Sequence, residues 1–590
     1  MSDIGDCIGE MNAEWISEQL VDFGYSFDET DEEFVSKMNL LSQTYILTAD
    51  DLISDVIAFA TNAKRSCLDL LFLELYEKSV LAKRTIRTEN DPSHSVSQST
   101  RTVLGEKKIV FERDDSPEMD ASSYVRELEA DTTLDEKYLK FTPDRTAVSS
   151  VAYQKRKNKG KVVLGHRGKH FLHDARQKNE VKKISVELCT PTSLSSSFSN
   201  YGSEKVMDRI EEICCSIELL SNEIAKNNEG LSFQPVDTVS SEPFTICGQI
   251  FDESGDRLTS STCSIQTLDE NVSSASVDLS KLSSYSLFPG KVVAMKGTNK
   301  LGCSFTPTEI FEPPLMSRAT LNSQRGIDNL SLWCAAGPFT SADSLSYEQL
   351  YDLLELANKQ SPDVLILMGP FIDRTSKAAR SPTLTRTFTE TFESLLANTC
   401  EVLEQSNTRL ILLPSRKDAV SLPFYPVAPF EVGKECKKVL REDVVFPPDP
   451  AVLKIAGIEF AISTSEILQY LGREEIHFSE NSENEDRIAR LFSHLIRQRS
   501  LYPLYPPPHD VAQSTPKSIK ASKLSNIPHI MILSSMLAPM IKVVDGCLCV
   551  NINSLARGAY MKLDIDLKTL EDEETGKSLD ECCDLKVVRL

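Results

Sequence analysis

Residues Val364 to Asp373 read VLILMGPFID, an apolar run that meets a Gly-Pro turn and then ends on a carboxylate. Because apolar residues run without interruption up to the turn, the stretch predicts a strand buried on both faces of a parallel sheet. The carboxyl ends of such strands are where α/β folds place their ligands. The sequence therefore predicts a site close to Asp373.

Two other apolar runs have the same form. Leu330 to Ala336 (LSLWCAA) is closed by Gly337-Pro338, and Leu410 to Leu413 (LILL) is closed by Pro414. The segments between the three runs have helical spacing of Leu and Ala. Strands that alternate with helices predict a mostly parallel sheet with helices on its faces.

Composition limits the function classes. The chain has 590 residues, a net charge of −23 and a pI near 5.0, which argues against a nucleic-acid binder that works alone. Its 15 cysteines include no CxxC pair, so we expect reduced, intracellular thiols and no zinc site. The first ten residues are acidic and lack the apolar core of a signal peptide, and no apolar run is long enough to span a membrane.

Residues 1–85 predict a small helical domain that docks other proteins. Ile16, Leu20 and Phe23 fall on one helical face, and Thr48 to Asp51 has the character of a helix start.

Residues 86–203 are rich in Ser, Thr, Lys and Asp and predict a mostly disordered linker. Ser116, Thr142 and Thr190 each precede a proline and are candidates for proline-directed phosphorylation, or else ordinary linker residues. A basic stretch reads as a nuclear-import patch, with a nucleic-acid contact or a solvated segment as alternatives. Its basic residues are Lys155, Arg156, Lys157, Lys159 and Lys161.

Residues 204–228 predict an amphipathic helix that packs either on a neighbouring domain or on a partner. Residues 241–329 contain short strands closed by Gly turns, which predict a barrel of OB type. OB barrels bind single strands through aromatic platforms and basic grooves. Here acidic residues crowd the loops, so we expect a barrel that faces protein. The candidate aromatic residues are Phe244, Phe251, Tyr285 and Phe288.

The strand ends of residues 330–590 have the layout of a calcineurin-like dinuclear metallophosphoesterase, whose strands end in D-x-H, GD-x-x-D and GNH. Two neighbouring cations need several carboxylates and imidazoles. Here Pro370 stands at the bridging Asp position, and Arg416 and Lys417 stand where a ligand is expected. We therefore expect an inactive domain with no catalytic residue, metal ligand or cofactor. Its vestigial positions are Gly369, Pro370, Asp373 and Asp418.

Histidine is scarce in this part of the chain. His477, His494, His509 and His529 fall in residues 330–590, and none is beside a strand-end carboxylate in sequence. The loop that should carry the last histidine ligands, Ser534 to Met540, contains none.

The order of these parts resembles the B subunits, the second and accessory subunits, of eukaryotic DNA polymerase alpha–primase. The resemblance covers residues 242–590 well and the N-terminal part by layout. Five stretches carry it: Tyr285 to Val293 (YSLFPGKVV), Ala336 to Asp343 (AGPFTSAD), Pro362 to Asp373, Leu413 to Asp418 (LPSRKD) and Asp545 to Asn551 (DGCLCVN).

The resemblance implies a multidomain, non-catalytic scaffold in the nucleus. The barrel and the phosphoesterase-like domain would bind the zinc-bearing C-terminal domain of the polymerase catalytic subunit, with primase joined through the complex and DNA contacted mainly indirectly. The N-terminal domain would recruit other replication proteins. An active metal-dependent phosphoesterase and a stand-alone single-strand-binding OB protein are the alternatives.

Overall fold

The computed structural model describes most of the chain from Ala13 to Leu590. The described ranges are 13–22, 26–27, 32–45, 49–63, 67–68, 70–77, 158–171, 183–190, 201–228 and 231–590, except 253–254, 256, 268–272, 323, 325, 343, 382–383, 481–485 and 571–576. They fall into an N-terminal unit and a larger second unit, each described below by itself. Within these ranges no helix has the length and apolar character to cross a membrane.

The N-terminal unit is helical, as predicted. It contains α1 (Ala13–Asp22), α2 (Glu32–Tyr45), α3 (Ala49–Ala63) and α4 (Leu70–Tyr76), with the short parallel strands β1 (Ser26–Phe27) and β2 (Cys67–Leu68). Ile16, Leu20, Val56 and Phe72 have no exposed surface and form its core. Phe23, predicted on the same face as Ile16, lies outside the described residues.

Two six-stranded sheets form the α/β part of the second unit. The first contains, in order, β13 (Arg409–Leu413), β12 (Val364–Met368), β11 (Asn329–Ala336), β22 (Ala559–Asp566), β23 (Cys583–Arg589) and β3 (Val162–Arg167). The second contains β20 (Met540–Val544), β21 (Cys547–Ile552), β19 (Ile530–Ser534), β16 (Ile458–Ser463), β15 (Ala451–Ile455) and β4 (Val186–Leu188).

The apolar strand of residues 364–368 is buried on both faces, which explains its uninterrupted pattern. Ile366 and Met368 face the second sheet, in a cluster shared with Ile462 and Ile532. Leu365 and Leu367 face the helices that cover the outer side of the first sheet. These helices are α6 (Glu348–Gln360), α7 (Phe388–Val402) and α8 (Lys434–Val439). β11, β12 and β13 pair in parallel, so the predicted parallel core is confirmed.

The remaining short elements complete the α/β part. They are α9 (Ile467–Glu474), α10 (Arg487–Arg497), α11 (Thr515–Ser522), α12 (Leu567–Leu570), the paired strands β14 (Phe424–Tyr425) and β18 (Ala512–Gln513), and 3-10 turns at Leu555–Arg557 and Leu579–Cys582.

Two strands of the α/β part come from residues that precede the barrel. β3 pairs with β23 at the edge of the first sheet, and β4 pairs with β15 at the edge of the second. Ile184, just before β4, is buried in the cluster between the sheets. Both strands lie in the range predicted as a mostly disordered linker, so that prediction is corrected for residues 158–171 and 183–190. The reason is tertiary: each short strand gains a full row of backbone partners from an existing sheet edge.

The helix α5 (Val206–Asn227) packs within the chain. Ile213, Ile217, Leu220 and Ile224 form its buried face, as the sequence spacing indicated. They contact Val292 and Ala294 of the barrel, and Ile519 of α11 packs against the same cluster. The predicted alternative of a neighbouring domain therefore holds for this face.

The barrel is closed, in the order β10-β7-β6-β5-β9, and confirms the predicted OB type. Its strands are β5 (Ser240–Asp252), β6 (Cys263–Thr267), β7 (Ser273–Val277), β9 (Val292–Asn299) and β10 (Ser304–Phe311), with a 3-10 turn at Leu279–Lys281. Ile246, Ile265, Met295 and Phe305 are fully buried inside it.

The motif YSLFPGKVV joins the barrel to the α/β part. Its strand β8 (Ser284–Leu287) leaves the barrel sheet and pairs antiparallel with β17 (Ile476–Ser479) of the α/β part. Gly290 has a positive φ of 99°, and a Cβ there would lie 2.5 Å from the backbone nitrogen of Tyr505. The close approach of two backbones requires glycine at this position.

A buried polar network fixes the same junction. Glu475 Oε1 accepts hydrogen bonds from Ser286 Oγ (2.5 Å), Arg490 Nε (2.7 Å) and His494 Nε2 (3.0 Å). Lys291, which has no exposed surface, donates to the carbonyl of Ser286 (2.6 Å) and to Glu312 Oε1 (2.5 Å). Buried charges persist only when they are paired in this way.

Candidate functional site

A cavity of about 350 Å³ opens where the strands of both sheets end, which is where the sequence predicted a site. Gly337, Gly369, Ser415, Thr464 and Ser534 place the carboxyl ends of five strands around it. Its other polar lining side chains include Thr340, Ser341, Asp373, Ser376, Lys417, Glu466, Ser535, Ser554 and Arg557. Most of the polar side chains that line the cavity are therefore hydroxyls.

Glycine is required at two of the strand ends because the backbones nearly touch. A Cβ on Gly337 would lie 2.0 Å from the carbonyl oxygen of Pro370. A Cβ on Gly369 would lie 2.4 Å from Asp418 Oδ2. The two Gly-Pro turns thus bring the first, second and third strand ends together at Asp418.

Asp418 is fully buried and holds the loop that follows β12. Its Oδ1 accepts hydrogen bonds from the backbone N–H groups of Phe371 (2.6 Å) and Ile372 (3.0 Å), and its Oδ2 accepts one from Ser415 (3.1 Å). Burial raises the pKa of Asp418 to about 7, although the three N–H donors act in the opposite direction. Its carboxylate is engaged by backbone.

Other charged groups at the strand ends also have partners within the chain. Asp373 Oδ1 accepts hydrogen bonds from the backbone nitrogen (2.8 Å) and the hydroxyl (2.7 Å) of Thr375. Lys417 Nζ lies 2.7 Å from Glu466 Oε1. Arg416 donates to the hydroxyl of Tyr470 and to Asp510. The cations expected at the third strand end therefore bind carboxylates of the chain.

Across the described part of the chain, no group of three or more His, Cys, Asp or Glu side chains is placed to hold a metal ion. His529 Nδ1 accepts a hydrogen bond from the backbone of Glu459, and burial lowers the pKa of His529 to about 4. His494 belongs to the junction network, and His477 contacts the carbonyl of Tyr285.

The barrel aromatics are used for packing. Phe244 packs edge-on against Phe305, and Phe288 packs edge-on against His494. Tyr285 packs against Phe478, with ring centroids 5.8 Å apart. Three of the four aromatic residues considered for a stacking platform thus have protein partners.

The structure places some of the predicted modification and targeting residues. Thr190 is buried, and its hydroxyl accepts a hydrogen bond from the backbone nitrogen of Val452 (2.8 Å), which disfavours phosphorylation of the folded protein. Lys159 lies 3.7 Å from Asp352, and the backbone of Lys161 pairs with that of Arg589. Ser116, Thr142 and Lys155 to Lys157 lie outside the described residues.

Three family models match separate parts of this chain, and all three describe a B subunit of DNA polymerase alpha or of DNA polymerases alpha and epsilon. They are the N-terminal model of the DNA polymerase alpha B subunit (residues 14–83), the OB-domain model of the same subunit (203–313) and the model of the DNA polymerase alpha/epsilon B subunit (332–542). The DNA polymerase alpha B subunit of Rattus norvegicus is 30% identical over 580 residues, which cover 93% of this chain and 94% of the rat protein. The chain belongs to the B-subunit family of DNA polymerase alpha.

Other B subunits of DNA polymerase alpha are similar over comparable lengths. The Caenorhabditis elegans protein is 29% identical, with 95% of this chain and 96% of that protein covered. The Mus musculus protein is 29% identical, with 93% and 94% covered. A solved archaeal phosphodiesterase covers 44% of this chain and 100% of its own, with 11% identity and a TM-score of 0.21.

The structure adds β3 and β4 to the α/β part, to which the sequence analysis did not assign them, whereas β22 and β23 lie within the predicted residues 330–590. β3 and β4 lie between the first two family-model matches, and β22 and β23 lie after the third. The junction residues Lys291, Glu475 and His494 were also not predicted. One sequence signal could have indicated a buried ion pair here: Lys291 is a charged residue among apolar residues in the motif YSLFPGKVV.

Proposed function

We propose that this B subunit is a non-catalytic scaffold of the DNA polymerase alpha–primase complex. It binds the C-terminal, zinc-bearing domain of the catalytic subunit and supports RNA–DNA primer synthesis at the start of DNA replication. The observation that carries the proposal is that the charged groups at the strand ends, Asp373, Asp418 and Lys417, are engaged by partners of the same chain. A site for catalysis by two metal ions needs carboxylates directed at the ions.

The junction supports a scaffold role because it joins the barrel and the α/β part into one binding surface. Gln498 donates to and accepts from the backbone of Val292, and the β8–β17 pair crosses the same boundary. Preorganised surfaces lose less conformational freedom on binding.

Affinity purification of the tagged full chain from its own cells tests the scaffold. We expect the polymerase catalytic subunit and the primase subunits to copurify with the chain. The subunits should then elute together, in a constant ratio, on gel filtration. Recovery of the chain as a free monomer would contradict the proposal. The clearest contradiction would be that the chain stays monomeric when the catalytic subunit is overexpressed with it.

The non-catalytic character is tested separately by metal analysis and a phosphodiester hydrolysis assay on the purified chain. We expect no stoichiometric transition metal and no activity above the level of Asp373→Ala. Activity that disappears in that variant would instead establish the phosphoesterase alternative.

We also propose that the N-terminal domain recruits other replication proteins, that Ser116 and Thr142 are phosphorylated, and that residues 155–161 direct nuclear import. Replacement of the basic residues 155–157 by alanine leaves Lys159 and its contact with Asp352 intact. We expect this variant to accumulate in the cytoplasm, as seen by microscopy of a fluorescent fusion. Unchanged nuclear localisation of a variant lacking all five basic residues would end the import proposal.

A further inference from the structure

A basic loop follows the second strand end of the α/β part. Residues 374–388 contain Arg374, Lys377, Arg380 and Arg386 and no acidic residue, in a chain with a net charge of −23. A charge run is most often only a solvated surface. The structure of this loop argues for a more specific use.

The loop is anchored to the domain through its backbone and its small side chains. The backbone nitrogen of Ala378 donates to the carbonyl of Ala342, and Ala378 and Ala379 are buried. Arg374 donates to the carbonyls of Asp418 (2.5 Å) and Ser421 (3.0 Å). Leu384 packs against the core cluster under α7 and α8. The loop therefore presents its outward side chains from a fixed support.

The outward side chains are cations and hydroxyls. Lys377, Arg380 and Arg386 are exposed, as are the hydroxyl residues Thr375, Thr385 and Thr387. Phe388, the first residue of α7, keeps 36% of its surface exposed and follows Arg386 and Thr387 directly in the chain. The acids that flank the loop in the chain have partners of their own: Asp373 binds Thr375, and Glu390 accepts a hydrogen bond from the backbone of Thr387 (2.9 Å).

This combination matches the chemistry that binds a nucleic-acid backbone. Phosphates are contacted by Arg, Lys and Ser/Thr hydroxyls, whereas protein interfaces have an apolar centre depleted of charge. An exposed aromatic ring next to such cations provides a stacking surface for an unpaired base. We propose that Lys377, Arg380, Arg386 and Phe388 form a contact site for single-stranded nucleic acid.

The proposed site goes beyond the scaffold function, in which this chain contacts DNA mainly indirectly. It also lies on the α/β part and not on the barrel. Acidic residues outnumber basic ones in the barrel loops, and three of the four aromatic candidates are packed against protein. The two surfaces can be separated by matched charge variants.

The test measures binding of a fluorescent oligodeoxythymidine to the purified full chain over a range of salt concentrations. The variant Lys377→Ala, Arg380→Ala, Arg386→Ala removes three exposed cations. The control Lys281→Ala, Lys296→Ala, Lys300→Ala removes three exposed cations from the barrel. Unchanged melting temperature and unchanged copurification with the catalytic subunit show that both variants are folded and assemble.

We expect the loop variant to bind at least about tenfold more weakly and to lower the slope of log affinity against log salt by about 2, since each single-strand phosphate contact contributes about 0.7. Phe388→Ala should weaken single-strand binding by at least about fivefold without changing that slope. The barrel control should keep the affinity of the unmodified chain.

Equal binding by the loop variant and the unmodified chain would overturn the proposal, as would loss of binding in the barrel control alone. An acidic-protein partner is the competing outcome. It would appear as loop-dependent binding of polyglutamate at salt concentrations where oligodeoxythymidine does not bind, and it too would overturn the proposal.

Discussion

At the scale of single residues, Asp418 and Gly369 show how the chain itself holds the strand-end site together. Asp418 follows β13, and its two carboxylate oxygens accept hydrogen bonds from three backbone N–H groups. Gly369 permits this because a side chain there would collide with the carboxylate. The residue pair now stabilises the loop after β12.

Asp418→Asn should therefore destabilise the α/β part by about 1–3 kcal/mol, because an amide NH2 group would face one of the three N–H donors. The measurement is the urea midpoint of unfolding. Asp373→Asn is the control: its partner Thr375 is exposed, so we expect a loss below about 1 kcal/mol. Equal effects of the two substitutions would contradict the structural role of Asp418.

Gly290 and Gly255 offer a second residue-scale comparison, because both have positive φ (99° and 71°). Gly255→Ala meets no atom within 4 Å and should cost only the backbone strain, about 1 kcal/mol. Gly290→Ala adds collisions with the backbone of Pro503 and Tyr505 and should cost more than about 3 kcal/mol. Thermal unfolding of both variants checks this; similar melting temperatures would show that the junction relaxes.

At the scale of elements, the edge strands β3 and β4 show that the α/β part is completed by chain on both sides of the barrel. Neither strand is long, and the outer residues Val162 and Val163 are 46% and 41% exposed. The two strands contribute to stability through backbone hydrogen bonds with their sheets and through a few buried residues next to them. Ile184, 6% exposed between the sheets, is the clearest of these.

Ile184→Ala should lower the free energy of unfolding by about 2–5 kcal/mol, as expected for a large-to-small change in a core. Val162→Ala in the exposed edge strand should change it by less than about 0.5 kcal/mol.

A truncation that starts at residue 158 should keep the stability of the second unit, whereas one that starts at residue 201 should lose it. Equal denaturant midpoints for the two truncations would show that β3 and β4 are dispensable.

At the scale of the whole second unit, the junction network makes the free energy of unfolding depend on pH. Burial lowers the pKa of His494 below its ordinary 6.5, and the charge of Lys291 adds to this. Burial alone would raise the pKa of Glu475, but the hydrogen bond from His494 and the charge of Arg490 hold it well below 4.5. In both cases the folded protein binds fewer protons than the unfolded chain.

Stability should therefore fall as pH drops below about 6.5, where unfolded His494 takes up a proton, and fall further below about 4.5, where unfolded Glu475 does so. Glu475→Gln should be less stable at pH 7, because it leaves Arg490 without its carboxylate. Its stability should decline less below pH 4.5 than that of the unmodified chain. The measurement is the melting temperature of both proteins as a function of pH. An equal decline of the two melting temperatures below pH 4.5 would contradict the role of Glu475 in this pH dependence.

The sequence by itself determined the helical N-terminal unit, the parallel core and the OB barrel. Each is encoded locally, by helical spacing at Ile16 and Leu20, by the uninterrupted run at residues 364–368 and by short strands between Gly turns. It also located the cavity, because Gly337, Gly369 and Pro414 mark strand ends. Each of these patterns can be recognised from residues that are close together in the sequence.

Tertiary structure decided what those patterns leave open. β3 and β4 could not be predicted from their local sequence, since their stability comes from sheet edges formed by residues hundreds of positions away. Asp373 and Asp418 look alike in sequence, and only their hydrogen-bond partners show that one carboxylate is buried under three N–H groups. The position of the barrel depended likewise on Lys291, Glu475 and His494, whose buried polar side chains find hydrogen-bond partners where the barrel meets the α/β part.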